Sequence, residues 1–322
     1  MESLVEWLMD SDPAIRWQVM RDLIGAPEAE VAAERSRVAE EGWGARLLGL
    51  QADDGRWGGG AYSPKWISTT YTLLLLRHLG IDPTHPAMTG ATDRVRRQVA
   101  MGGKDRPYFT YVNEMCIASM VLALGAYFLD DPDDLPQPEL LLANQRADGG
   151  WNCDVGSDRS SFHTTILALE GLLEYERAVG GASELEYARH RAHEYLLDRR
   201  LMYSLRTGEL VNRRWLLMSF PPRWFYDVLR ALDYFCAAGM DPDPRANEAV
   251  SVVEAKWRKD GRWPLQNRHP GREHFEMEEG PGKPSRWNTL RALRVLAWSR
   301  GPKSLLWVGN GVAGAIPDPQ NG

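Results

Sequence analysis

Five stretches of 13 to 19 residues carry apolar side chains on nearly every side, with Ala and Gly interspersed. They are WISTTYTLLLLRHLG at 66–80, YVNEMCIASMVLALGAYFL at 111–129, SSFHTTILALEGLLEY at 160–175, WFYDVLRALDYFCAAG at 224–239 and RWNTLRALRVLAW at 286–298. A helix with almost no polar face is buried on two sides, so these predict inner helices. Between them, ATDRVRRQVA, SELEYARHRAHEYLLDRR and ANEAVSVVEAKW each show one apolar stripe and one charged face. That pattern suits an outer helix with its back to water. Short connections bearing Gly and Pro join the two kinds, which predicts an all-α protein of stacked helical hairpins. The N-terminal SLVEWLMDSDPAIRWQVMRDLIG predicts a separate amphipathic pair, with Asp12 as a cap, Pro13 in the first turn and Ile15, Val19 and Leu23 on one stripe. These readings divide the chain into an N-terminal helical extension (1–40), a main domain (41–300) and a C-terminal tail (301–322).

The connections repeat. QADDGRW at 51–57 and QRADGGW at 145–151 align on a shift of 94, two units of 47, and WRKDGRW at 257–263 keeps the Asp-Gly-x-Trp turn with Trp257 in the place of Gln. Gly permits a sharp turn, Gln supplies groups for unpaired helix ends, and Trp covers them. Trp57, Trp151 and Trp263 are therefore read as braces rather than ligand contacts.

Composition narrows the partners. With 43% hydrophobic residues and a net charge of -6 over 322 residues, the chain can bury a large core but has no basic field for nucleic acid. Three scattered cysteines, Cys116, Cys153 and Cys236, do not make a disulfide framework, and no signal sequence is evident at Met1, so a cytoplasmic location is expected. The apolar runs are too short to span a bilayer, which leaves peripheral contact with a membrane open.

The Q-x3-G-x-W pattern set before small-residue apolar helices resembles the QW repeats of the squalene cyclase and protein prenyltransferase superfamily, over roughly residues 40–300. The resemblance implies an α/α toroid whose inner helices line a central cavity, and an apolar or isoprenoid small-molecule ligand. Equivalent positions on successive inner helices then share one height. Aligning the helices on their apolar cores puts Thr69, Cys116, His163, Tyr226 and Trp287 in one ring and Thr70, Ile117, Thr164, Asp227 and Asn288 in the next. The cavity is expected to be apolar and aromatic.

Within that ring, Glu114-Met115-Cys116 is similar to the Asp-x-Cys of the zinc-dependent prenyltransferases, and His163 to their histidine. The resemblance thus implies zinc held by Glu114, Cys116 and His163, a donor set that suits the metal. Glu114 departs from the family's Asp, Ile117 stands where a Tyr is expected, and Lys104 and Arg106 are out of register for a diphosphate. The cyclase branch uses an Asp in DxDD as its acid. DPDD at Asp131–Asp134 matches the letters but falls in a loop between helices and is read as solvated. Asp227 heads an inner helix beside Trp224, Phe225 and Tyr226 and is the candidate acid, with Tyr226 beside it. A helix N-terminal carboxylate serves a cap equally well. Thr69, Trp224, Trp287, Asn288 and Arg223 are the candidate substrate contacts, Arg223 for an anion together with Arg213 and Arg214. The 271–287 loop gathers His274, Glu276, Glu278 and Glu279, as site mouths often do.

Three functions compete: an isoprenoid-handling enzyme, cyclase-like or prenyltransferase-like; a catalytically inactive toroid that binds a lipid or a protein; and a carbohydrate-active toroid.

Overall fold

The computed structural model describes residues 3–103, 105–181 and 183–301. Lys104 and the tail from 302 onward, both singled out above, lie outside the described residues. The α-helices are α1 (Leu4–Met9), α2 (Pro13–Val19), α3 (Glu28–Ser36), α4 (Gly42–Leu48), α5 (Thr69–Leu79), α6 (Pro86–Gln98), α7 (Met115–Phe128), α8 (Gln137–Asn144), α9 (Phe162–Val179), α10 (Ser183–Asp198), α11 (Val228–Ala237), α12 (Asn247–Glu254) and α13 (Arg286–Arg300). No strand occurs among the described residues, where extended pairing is limited to isolated bridges.

Burial separates two kinds of helix along the pattern read from the sequence. In α7 only Cys116 and Tyr127 fall outside the buried set. In α6 the buried residues are Met88, Ala91, Thr92 and Val95, a stripe at i, i+3, i+4, i+7 with water on the other side. The inner helices α5, α7, α9, α11 and α13 alternate along the chain with the outer helices α6, α8, α10 and α12. Around the ring, α5 packs on α7, α7 runs along α9, α11 packs on α13, α13 on α2, and α2 returns to α5 through α4. A Glu170–Arg230 ion pair joins α9 to α11, and Trp17 of α2 donates its indole N–H to Leu79 O of α5 at 3.0 Å. The ring closes, and the fold is an α/α toroid. Asp12 caps α2 through Ala14 N at 2.9 Å, as its spacing predicts, and also accepts from Trp43 N at 2.7 Å.

The repeated turns form the same lattice of hydrogen bonds. The indole N–H of Trp57, Trp151 and Trp263 donates to Leu47 O, Leu141 O and Val253 O at 2.7, 2.8 and 2.7 Å. Their backbone N–H groups donate to the hydroxyls of Thr69, Thr165 and Thr289 at 3.2, 3.1 and 3.0 Å. Gln51 and Gln145 bridge their own turns to Ala91 O of α6 and Ala188 O of α10 at 2.9 and 2.7 Å. Each turn therefore ties an inner helix to an outer one, and the three indoles are fully buried. Glycine is required here: at Gly149, φ is +94° and a Cβ would stand 2.4 Å from Arg191 O.

The lattice corrects the expected ring. Thr69 belongs with Thr165 and Thr289, not with His163 and Trp287. The run from Trp to Thr is 12 residues in the first copy, 14 in the second and 26 in the third. A constant shift in sequence cannot follow connections of unequal length.

Candidate functional site

All five inner helices, together with α2 and α3, face a central cavity of about 270 Å³. Its wall carries the expected aromatic residues but is also densely ionic, which corrects the purely apolar and aromatic lining expected above. Arg21, Arg35, Arg77, Arg177, Arg230, Arg291 and Arg294 line it with Glu170, Glu174 and Asp233. The charges are stitched from helix to helix. Arg77 of α5 donates to Glu174 of α9 at 2.8 Å, and Arg230 of α11 clasps Glu170 of α9 with bonds of 2.7 and 2.6 Å. Asp233 of α11 takes Arg291 and Arg294 of α13 at 3.1 and 2.9 Å. Arg294 then reaches Gln18 of α2 and Asp22 just beyond it, both at 2.9 Å. Burial disfavours the Glu170 charge, but the Arg230 guanidinium, helped by Arg77, outweighs it and holds that carboxyl down at about 2. Asp233 is lowered in the same way by Arg294 and Arg291 against its burial. His78 is pushed down to about 3, by burial first and then by Arg77, so it is neutral.

Two of the cations lack a carboxylate partner among the described residues. Arg35 donates to Gly80 O and to Tyr127 Oη at 2.8 and 2.9 Å, and Arg177 bonds to Ala237 O. Sequence reading missed this wall because the helices were judged by their mean apolarity. The signal was present as polar stripes: Glu170, Glu174 and Arg177 on α9, Arg230 and Asp233 on α11, and Arg291 and Arg294 on α13 recur at i, i+3, i+4 or i+7, one face of each helix.

The residues expected to act are gathered nearer the N-terminal ends of the inner helices, and most are committed to structure. Asp227 is buried and caps α11: Oδ1 accepts from Arg230 N and Oδ2 from the Ser219 hydroxyl, both at 2.8 Å. Burial raises its pKa, tempered by Arg291. Tyr226 is also buried, its hydroxyl bound to Leu201 O at 2.5 Å, and burial raises it too. The hydroxyl of Thr69 is spent between Trp57 N and Gly60 O. Trp287 stacks on Phe220 with centroids 4.2 Å apart and borders the cavity, whereas Asn288 donates to Pro264 O at 3.1 Å. Trp224 stacks on Phe225 at 4.0 Å. Arg223 is 6% exposed, and burial lowers its pKa against the pull of Glu273, with which it pairs at 3.0 Å. Asp131, Asp133 and Asp134 are exposed between α7 and α8.

Glu114, Cys116 and His163 are not assembled as a metal group, and no cluster of three such ligands occurs among the described residues. His163 Nδ1 accepts from Tyr226 N at 2.8 Å within a nest of Trp215, Trp224 and Phe225. Burial, with Arg230, lowers it to about 4. Cys116 instead meets Cys153, whose sulfur accepts from Cys116 N at 2.9 Å. The thiol hydrogen bond between them raises Cys116 and lowers Cys153 to about 7. Glu114 is exposed at the start of α7 and accepts from the Tyr111 hydroxyl at 3.3 Å. His163 Nδ1 and Cys116 N are thus each turned to another partner in this arrangement. In the 271–287 loop, Glu278 is half-buried. Its carboxylate accepts from the Ser285 hydroxyl at 2.9 and 2.8 Å at the head of α13, and burial raises it to about 6 against those bonds.

No protein-family model matches the sequence, and no curated protein matches it. Three solved chains are similar in structure. A protein from Actinoplanes is 18% identical, with 90% of each chain covered and a TM-score of 0.42. The type II terpene cyclase MstE from Scytonema in its apo form is 14% identical, covering 88% of this chain and 86% of that one, with a TM-score of 0.42. A variant of MstE in complex with geranylgeranyl dihydroxybenzoate, its substrate, is 15% identical, covering 93% and 87%, with a TM-score of 0.37. No helix among the described residues is long and apolar enough to cross a membrane.

Proposed function

We propose that the chain binds an isoprenoid-class small molecule whose anionic head group seats in the arginine-lined cavity. The observation that carries this reading is the excess of cations. Seven arginines line the space against three carboxylates, and Asp22 behind Arg21 and Arg294 does not close the gap. Arg35 is half-buried without a carboxylate partner among the described residues, and Arg21 and Arg177 carry the same positive wall out to solvent; a phosphate or carboxylate oxygen entering there gains charge-assisted hydrogen bonds. Arg35 and Arg177 are the residues placed to give them. The isoprenoid part rests on the turn motifs and on the walls: Trp17, Tyr127, Phe220, Tyr234 and Trp287 supply aromatic surface around the same space. Proton-started cyclisation finds no support in this cavity, since Glu170 and Asp233 are held ionised and Asp227 is engaged as a cap. Glycoside hydrolysis needs a free carboxyl pair, and Glu170 and Glu174 are each locked to an arginine.

Isothermal titration at low ionic strength with farnesyl diphosphate, farnesol, inorganic diphosphate and squalene tests the reading. Farnesyl diphosphate is expected to bind at least about tenfold more tightly than farnesol, roughly one charge-assisted bond's worth. Substituting Arg35→Met and Arg177→Met together is expected to erase that difference and leave farnesol unchanged. Equal binding of farnesol, squalene and the diphosphate, or binding of none, overturns it.

A further inference from the structure

The seam between α7 and α9 holds two thiols that the cavity does not use. Cys116 sits in the first turn of α7, and its backbone N–H points at Cys153 Sγ, 2.9 Å away. Cys153 stands between the second Trp turn and α9, and the hydroxyl of Thr164, in the first turn of α9, reaches the same sulfur at 3.6 Å. The 2.9 Å contact from Cys116 N sets the Cys153 sulfur directly against the Cys116 residue. Both residues are half-buried rather than sealed in the core, both thiols are free, and neither lines the central cavity. Adjacent thiols within reach of solvent, one of them collecting donors from two helix N-terminal turns, are arranged for thiol–disulfide exchange.

We propose that Cys116 and Cys153 form an oxidant-sensitive pair that a low-molecular-weight disulfide, such as oxidised glutathione, closes to a disulfide. In the first step the Cys153 sulfur attacks one sulfur of the oxidant. The oxidant's S–S bond breaks, and the departing glutathione takes the proton that Cys153 gives up. In the second step the Cys116 sulfur attacks Cys153 in the mixed disulfide and displaces the second glutathione, which takes the Cys116 proton. The protein loses two electrons and two protons, and one molecule of oxidised glutathione becomes two thiols. The bond ties the loop before α9 to the head of α7.

The full chain is equilibrated in glutathione buffers of graded oxidation, quenched in acid, alkylated and mapped by mass spectrometry. Cys116 and Cys153 are expected to lose alkylation together and to appear in one cross-linked peptide, while Cys236, held on α11 near Arg294 O, stays alkylated. Phenylarsine oxide, which bridges neighbouring thiols, is expected to bind in one equivalent to the reduced wild type and to Cys236→Ser. It should fail with Cys116→Ser and with Cys153→Ser. Lasting glutathione adducts on either cysteine without a cross-link, disulfides that involve Cys236, no reaction in fully oxidising buffer, or arsenical binding that survives both serine variants would each overturn the proposal.

Discussion

Glu170→Gln removes one charge from the belt around the cavity and leaves its shape in place. Glu170 and Arg230 have side chains only 13% and 3% exposed, and two bonds of 2.7 and 2.6 Å join them. Glutamine keeps one acceptor for Arg230 but leaves that guanidinium without its counter-charge, a loss of about 3–5 kcal/mol for a buried pair. A second route gives a similar size. The carboxyl falls from its ordinary 4.5 to about 2 in the folded chain, which at roughly 1.4 kcal/mol per tenfold is about 3 kcal/mol. Because the folded value lies below the unfolded one, this contribution is complete above about pH 4.5 and is lost as pH falls toward about 2. Urea unfolding of wild type and variant at neutral pH should therefore differ by about 3 kcal/mol, with the gap narrowing steadily below about pH 4.5. A difference under about 1 kcal/mol, or one that is the same at pH 7 and at about pH 2.5, refutes the idea that this pair carries buried charge stabilisation.

Replacing Trp151 with Phe keeps most of the buried ring but orphans Leu141 O, and thermal unfolding should report a loss of about 1–3 kcal/mol, against about 3–5 for Trp151→Ala. Gly149→Ala forces a methyl onto Arg191 O and should destabilise far more than Gly180→Ala, where φ is also positive but nothing lies within 4 Å; equal urea midpoints for the two would contradict the brace geometry. Asp227→Ala should lower stability by about 0.5–2 kcal/mol through the lost cap, whereas Asp227→Asn retains most of it; calorimetry of the pair decides between a cap and a dispensable acid. Glu278 is raised to about 6, so the stability tied to its neutral form is present below its ordinary 4.5 and lost as pH rises through about 6. That decline, about 2 kcal/mol in size, should be absent from the pH profile of Glu278→Gln.

The sequence by itself determined the kinds of helix and their alternation. The unbroken apolarity of α7 and the single stripe of α6 are local periodicities, and burial follows from them directly. It also determined the brace: the Gln, Gly and Trp of the first two turns sit close together along the chain, and their bonds to Gly55 O, Gly149 O and the residue ten places before each Trp are near-neighbour contacts. Tertiary structure decided which residues share a height and what the hollow is made of. Connections of 12, 14 and 26 residues moved Thr69 away from His163, turned that histidine toward Tyr226 N and set Cys116 against Cys153. Arg77 and Glu174 are 97 positions apart, and Arg294 pairs with Asp22 from near the other end of the chain. Whether such charges neutralise one another depends on ring closure, because Coulomb attraction acts on distance in space and the chain order of distant helices does not encode it.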